Sequence, residues 1–209
     1  MTILIATNNP AKAREIAAVL SANDAAGESV TWKSLSDLGE AIPEPVEDRD
    51  SFLENATLKA TYYSKATGLW ALADDSGLEV DALGGEPGVH SAYFDRNSAH
   101  LPRAQRDGAN NAKLAAMLLG RETRSARYRC VLVLAAGDCV LAMSEGIFEG
   151  VIVDEPRGRG GFGYDPYFLV PALGKTVAEL SPEEKNRISH RGKALAALRE
   201  QLRTLSPRA

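Results

Sequence analysis

The sequence predicts an α/β fold. Three observations carry that expectation. A strand–turn–helix unit opens the chain, further apolar runs and helically spaced segments follow one another along it, and 209 residues suit one α/β domain, or one domain of two lobes sharing a sheet. Hydrophobic residues make up 44% and charged residues 25%, so a chain of this length can bury an ordinary globular core.

The elements read in order as follows. Ile3–Ala6 is a short apolar strand, broken by Thr7-Asn8-Asn9-Pro10, where Pro10 stands at a helix start. Ala11–Ala22 continues as a helix with Ile16, Val19 and Leu20 on one side. Residues 39–50 hold two prolines and five acids, the composition of a loop. Ser51 with Glu54 forms a capping box that opens a helix to about Thr67, on which Asn55 and Lys59 share a face. Leu69-Trp70-Ala71-Leu72 opens a buried strand whose end carries Asp74 and Asp75, followed at once by a turn at Ser76-Gly77, and Gly84–Gly88 is a Gly/Pro-rich loop. A helix spans Gln105–Leu119, and Arg127–Ala135 and Cys139–Phe148 form an antiparallel pair turning at Gly137-Asp138. A glycine-dense loop, 158–166, leads to a strand at Tyr167–Val170. Ser181-Pro182-Glu183-Glu184 then caps a helical stretch, broken near Ser189, that ends before Pro207.

Composition excludes several functions. A net charge of −4 argues against a nucleic acid polymer as partner, since such footprints carry a basic excess, although a small phosphorylated ligand needs only a few local cations. Cys130 and Cys139 are the only cysteines and read as reduced thiols packed in strands. No secretory leader and no apolar run of ~18 residues is present, so the expectation is a cytoplasmic protein with no membrane partner.

Four segments carry chemistry. Adjacent acids at a strand end are costly unless they hold a cation, handle protons, or merely cap the following turn; in a strand only one of Asp74 and Asp75 can face a given cleft. The Thr7–Lys12 turn offers anion-binding donors at a helix N-terminus, or simple N-capping by Thr7 or Asn9; Lys12 opposes the helix dipole, so a nearby anion would explain it. The run Gly158 to Gly163 spells GxGxxG, but Pro166 and a strand follow it where a dinucleotide fingerprint would open a helix. It reads instead as a loop whose Phe162 and Tyr164 stack on a flat ligand or plug the core. In Lys185–Gly192, Ser189 can cap a second helix that presents His190 and Arg191 as donors, or the run is a solvated charged face. His90, His100 and His190 lack the spacing of a zinc site.

Taken together, the segments ATNNPAKAREI (6–16), SFLENATLKA (51–60), ALADDSGLEVDALGGEPGVHSA (71–92), GGFGYDPYF (160–168) and ELSPEEKNRISHRGKAL (179–195) make the chain resemble the inosine triphosphate pyrophosphatase family over nearly its whole length. The resemblance implies an elongated α/β domain spanning 1–209, with a central mixed sheet, flanking helices, two lobes around a cleft, and a homodimer. It implies Mg²⁺-dependent cleavage of non-canonical purine nucleoside triphosphates (ITP, dITP, XTP) between the α- and β-phosphates, cleansing the nucleotide pool. By motif position, Thr7, Asn8, Asn9, Pro10, Ala11 and Lys12 hold the triphosphate with Lys59 and Ser76. Asp75 is the catalytic acid and metal ligand; Phe162, Gly163, Tyr164 and Asp165 enclose the base; Lys185, His190 and Arg191 complete recognition. The chain departs from the family's Glu-Glu-Thr-Gly at Val46-Glu47-Asp48-Arg49. Val46 replaces the first Glu, leaving Glu47 or Glu44 as second metal carboxylate. Two rivals follow from the same residues: a catalytically silent nucleotide sensor, and an aspartyl-nucleophile phosphatase releasing orthophosphate through a covalent intermediate.

Overall fold

The computed structural model describes residues 1–21, 30–39 and 41–205. The expected helix end at Ala22, Glu40 of the acidic loop, and Pro207 lie outside the described residues. The strands are β1 (Thr2–Ile5), β2 (Thr31–Ser34), β3 (Trp70–Val80), β4 (Ser125–Ala136), β5 (Cys139–Ile152), β6 (Phe168–Val170) and β7 (Lys175–Thr176). The α-helices are α1 (Pro10–Ser21), α2 (Phe52–Thr67), α3 (Arg103–Leu118), α4 (Pro182–Ile188) and α5 (His190–Leu205). Among the described residues, no helix is long and apolar enough to cross a membrane.

The strands make one mixed sheet in the order β2-β1-β3-β4-β5-β6-β7. β1 runs parallel to β2, pairing Thr2 with Thr31, and parallel to β3, pairing Ile3 with Trp70. β5, β6 and β7 are antiparallel neighbours. A two-residue turn joins β4 to β5, a connection that only antiparallel strands permit. The expected mixed α/β sheet is therefore observed.

Two segments differ from expectation. β2 was not anticipated: Thr-Trp-Lys-Ser is four residues long, half exposed, and offers little apolar alternation. β3 does not stop at the acid pair but continues to Val80, so Ser76-Gly77 lies within the strand and not in a turn. Turn-like composition is overridden because Asp74 and Asp75 have partners for their charges and the backbone remains in the ladder.

The chain divides into two compact units. One comprises Met1–Asp75, Cys130–Gly146 and His190–Ala209; the other comprises Ser76–Arg129 and Ile147–Ser189. In the first, Ile3, Ile5 and Leu72 of the sheet pack with Ile16 and Leu20 of α1 and Leu195 of α5. Along β5 the buried side alternates through Ala142, Ser144 and Gly146. Gly146 is dictated by α5: a Cβ there would stand 2.1 Å from the His190 carbonyl oxygen, so glycine lets the helix start lie against the strand. In the second unit, Leu78 and Val80 of β3 join Leu114 and Leu118 of α3 and Phe148 and Phe168. Tyr128 and Phe168 have ring centroids 4.6 Å apart.

Local signals set the helix ends. Asn9 caps α1, its Oδ1 accepting from the N–H groups of Ala11 (3.0 Å) and Lys12 (3.3 Å). At α2 the Ser51 hydroxyl accepts from Glu54 N at 3.2 Å, while the Glu54 carboxylate accepts from the Ser51 hydroxyl at 2.8 Å. The full reciprocal box forms at α4, where Glu184 Oε2 accepts from Ser181 N at 2.8 Å and Ser181 Oγ accepts from Glu184 N at 3.1 Å. The break at Ser189 is observed, with α5 starting at His190. Both cysteines lie in strands, Cys130 buried and Cys139 exposed.

Candidate active site

β3 carries Asp74 and Asp75 to opposite faces of the sheet, and each meets different partners. Asp75 is built into a cluster of two carboxylates around one ammonium. Lys59 of α2 donates to Asp75 Oδ1 and to Glu47 Oε2, each at 2.7 Å. Asn55, one turn earlier on the same helix, accepts from Arg49 N and donates to Arg49 O, both at 3.2 Å. That clamp fixes the acidic loop so that Glu47 reaches Lys59, while Val46 is 77% exposed. Two negative charges face one positive, and among the described residues the buried Asp75 Oδ2 has no hydrogen-bond partner.

Electrostatics separate the two carboxyls. Burial pushes Asp75 up to about 6, outweighing the charges of Lys59 and Lys12 that favour the carboxylate. Burial acts on Glu47 in the same sense, but Lys59 overcomes it and holds Glu47 below the usual carboxylate range. Burial disfavours the Lys59 ammonium, yet Asp75 and Glu47 outweigh it and raise its pKa.

Asp74 is 1% exposed and belongs to a balanced cluster. Lys12 Nζ lies 2.6 Å from Asp74 Oδ1; Arg191 Nε donates to Oδ2 at 2.8 Å, and the Cys130 thiol donates to Oδ2 at 3.1 Å. Arg191 also pairs with Glu15 through Nη1. Burial would raise the Asp74 pKa, but Arg191 and Lys12 hold it well below the ordinary range. Asp74 is thus the anion that the position of Lys12 called for. Arg191 is 2% exposed and committed to two carboxylates within its own unit. His190, 5% exposed, is the first residue of α5. In the opening turn, Thr7 Oγ1 accepts from Asn9 N at 3.2 Å, Asn8 Nδ2 donates to the Tyr63 hydroxyl at 3.2 Å, and Pro10 begins α1.

The second unit holds the other constellation. Asp165, 3% exposed, binds three donors: Lys185 Nζ at 2.7 Å and Phe162 N at 2.9 Å on Oδ2, and the Tyr128 hydroxyl at 3.1 Å on Oδ1. Gly161 has φ +71, and a Cβ there would stand 2.0 Å from Asp165 Oδ2, so the clamp requires glycine. Asp107 Oδ2 accepts from Gly163 N at 3.1 Å, and Asn111 Nδ2 donates to Gly163 O at 2.9 Å. Phe162 is half-buried, with Lys185 Nζ 4.6 Å and Arg103 Cζ 5.3 Å from its ring centroid. Tyr164 turns into the core, its hydroxyl donating to Ser91 O at 2.8 Å. Ser76 is half-buried in the β3 segment of this unit.

The sequence-predicted residues thus fall into two sets: Thr7–Lys12, Glu47, Lys59, Asp75, His190 and Arg191 in the first unit, and Ser76, Phe162–Asp165 and Lys185 in the second. Sequence reading missed Glu15, Tyr63 and Cys130 in the first and Arg103, Asp107, Asn111 and Tyr128 in the second. The four-residue spacing of Arg103, Asp107 and Asn111 was a visible signal for one helix face.

Fold and side-chain clusters define an α/β protein whose first unit carries buried carboxylates paired with cations and whose second carries an aromatic glycine loop. Comparison with known proteins makes this specific. The Ham1 family model matches residues 3–201. The chain is 50% identical over 202 residues to the dITP/XTP pyrophosphatase of Thermus thermophilus, covering 96% of this chain and 91% of that one. It is 49% identical over 203 residues to the dITP/XTP pyrophosphatase of Ralstonia nicotianae, covering 96% of each. A HAM1 protein from Coxiella burnetii superposes with TM-score 0.83 at 36% identity, covering 98% of this chain and 99% of that one. The chain belongs to the Ham1 family and is an enzyme of the nucleoside triphosphate pyrophosphatase class, as the resemblance implied.

Proposed function

We propose that the protein hydrolyses dITP, XTP and ITP to the monophosphate and pyrophosphate with Mg²⁺, cleansing the nucleotide pool. The observation that carries this reading is Asp75: a buried carboxyl pushed up to about 6, one oxygen on Lys59, the other without a hydrogen bond among the described residues.

Water attacks the α-phosphorus in line, and Asp75 Oδ2 takes its proton as general base. The bond to the bridging oxygen breaks and pyrophosphate leaves. Lys59 holds Asp75 and Glu47 in register through its two 2.7 Å contacts. The Lys12 ammonium carries two further N–H donors beyond the one on Asp74, and with the Thr7–Ala11 turn it receives the triphosphate. Phe162, Gly163, Tyr164 and Asp165 form the base-binding loop, with Phe162 supplying the stacking face. Lys185 and His190 donate to the oxo groups, Ser76 assists the phosphates, and Arg191 acts through Asp74.

The residues present fit a hard cation. A cluster of two carboxylates and one ammonium, with a buried oxygen left over, suits an ion that takes one or two carboxylates plus phosphate oxygens and water. Asp75 and Glu47 would hold Mg²⁺, which when bound supplies neutralisation of charge on the phosphate oxygens.

The aspartyl-nucleophile alternative could use Asp74 or Asp75; Asp74 is disfavoured because Lys12 and Arg191 consume it, and for Asp75 the released product, orthophosphate or pyrophosphate, decides. The protein acts as a cytoplasmic homodimer in this proposal, which sedimentation at micromolar concentration tests. A panel of nucleoside triphosphates assayed with Mg²⁺, following pyrophosphate and orthophosphate separately, tests the activity. Pyrophosphate from dITP and XTP supports it; orthophosphate alone, or no product, refutes it.

A further inference from the structure

Three residues on one face of α2, spaced by four, each hold a different part of the candidate active site. Asn55 clamps Arg49 of the acidic loop, and Lys59 donates to Asp75 and Glu47. Tyr63 is the third, and it lies outside the segments that carry the family resemblance. Its hydroxyl accepts from Asn8 Nδ2 at 3.2 Å, across 55 residues of sequence. All of these residues belong to the first unit. The helix is pinned one residue further on, where buried Ser64 donates to Leu69 O at 2.6 Å and accepts from Gly137 N at 2.8 Å.

The turn before α1 uses its side chains in two ways. Thr7 Oγ1 and Asn9 Oδ1 accept from the backbone N–H groups of Asn9, Ala11 and Lys12, so they shape the backbone of the turn itself. Asn8 does not. It is exposed, and among the described residues the Tyr63 hydroxyl is the one hydrogen-bond partner of its side chain. Tyr63 is 1% exposed, and its ring stands edge-on to Tyr62 with centroids 5.2 Å apart. Burial pushes its phenol up to about 12, so it stays a neutral anchor at physiological pH. A primary amide is planar and carries two N–H donors. With one of them on the phenol, the direction of the other is set.

We propose that Tyr63 is a positioning residue for the reaction: its buried hydroxyl orients the Asn8 amide so that the remaining N–H donates to an oxygen of the incoming triphosphate. Tyr63 touches no substrate and acts through Asn8. Without the hydroxyl, the exposed amide rotates in water and must be ordered when substrate binds, which costs affinity. That penalty falls on the bound substrate and the transition state alike, so it enters KM and leaves kcat in place. The inference rests on the proposal that the Thr7–Lys12 turn receives the triphosphate.

The test compares wild type, Tyr63→Phe, Asn8→Ala and the double variant. Two quantities are read: kcat and KM for dITP with Mg²⁺, and the calorimetric Kd of inorganic tripolyphosphate, a probe that has no base. Tyr63→Phe deletes one oxygen, keeps the ring and strands no buried partner, since exposed Asn8 can turn to water; it should fold, and a thermal melt checks this. It is expected to raise KM and Kd about fivefold, a difference of ~1 kcal/mol, with kcat held within about twofold. Asn8→Ala should raise both by at least as much. The double variant should match Asn8→Ala, because a hydroxyl that acts through Asn8 then has nothing to act on. A Tyr63 that serves only the packing of α2 would instead multiply its loss with that of Asn8→Ala. Such multiplication, a loss confined to kcat, or a Tyr63→Phe protein that equals wild type overturns the role of Tyr63. Asn8→Ala separates the two levels. If it binds tripolyphosphate and dITP as wild type does, the reading of the turn as phosphate receiver fails; if it weakens both while Tyr63→Phe weakens neither, only the present inference does.

Discussion

Replacing Asp74 by Asn should destabilise the protein by about 3–5 kcal/mol, the cost of removing one partner from a buried ion cluster. In the wild type two acids, Asp74 and Glu15, balance Lys12 and Arg191. Asp74 shows no side-chain exposure and spends both oxygens, one on Lys12 at 2.6 Å and one on Arg191 at 2.8 Å. An amide of the same shape has one acceptor where two were used, and its NH₂ group must face a cation. The cluster is left with a surplus positive charge, and the Cys130 thiol has to compete for the remaining oxygen. Urea denaturation followed by circular dichroism gives the magnitude; with an m-value of ~2 kcal/mol/M the midpoint should fall by about 1.5–2.5 M. The pH dependence provides an independent check. A carboxyl whose native pKa is depressed contributes stability that is complete above its unfolded value, ~3.9, and is lost as pH falls toward the native value. The gap between wild type and variant should therefore hold from neutral pH down to about 5 and close progressively below pH ~4. A loss under ~1 kcal/mol, or a gap indifferent to acid, would refute the view that this cluster is a balanced electrostatic unit.

Two further outcomes follow from the same geometry. Gly161→Ala puts a Cβ 2.0 Å from Asp165 Oδ2 at a φ of +71, so the Phe162 N–H clamp must open; kcat/KM for dITP should fall at least about tenfold with KM carrying most of it, and an unchanged KM would contradict the clamp. At sub-saturating Mg²⁺, activity should fall as pH drops through about 6, because Asp75 must be ionised to accept a proton. Raising Mg²⁺ should move that acid limb to lower pH, since a bound cation favours the carboxylate; a limb that ignores metal concentration would place Asp75 away from the ion.

Local signals were legible in the sequence and long-range ones were not. Asn9, Ser51, Ser181 and Ser189 announced helix starts because capping is decided within a few residues, and α1, α2, α4 and α5 begin directly after them. Composition misled at Ser76-Gly77, which reads as a turn closing the strand after the acid pair. In the sheet, Lys12, Lys59 and Arg191 supply partners that let a strand carry two acids through the interior. Those partners lie far along the chain; Arg191 and Asp74 are 117 residues apart, a separation that no spacing rule spans. The loop at 158–166 was correctly denied a helix, but the reason for its glycines appeared only in three dimensions, where Gly161 makes room for a carboxylate. Phe162 and Tyr164 looked alike as aromatic faces. The structure separates them, since Tyr164 fills the core and Phe162 stays accessible under two cations.

The account stands on Asp75 as the base that activates water, and Asp75→Asn tests it most directly. The variant keeps the shape of the side chain, and Lys59 can still donate to an amide oxygen. With dITP and XTP at saturating Mg²⁺, pyrophosphate release is predicted to drop at least ~10²-fold while the urea midpoint confirms a folded protein. Wild-type turnover in a folded Asp75→Asn enzyme would contradict the mechanism.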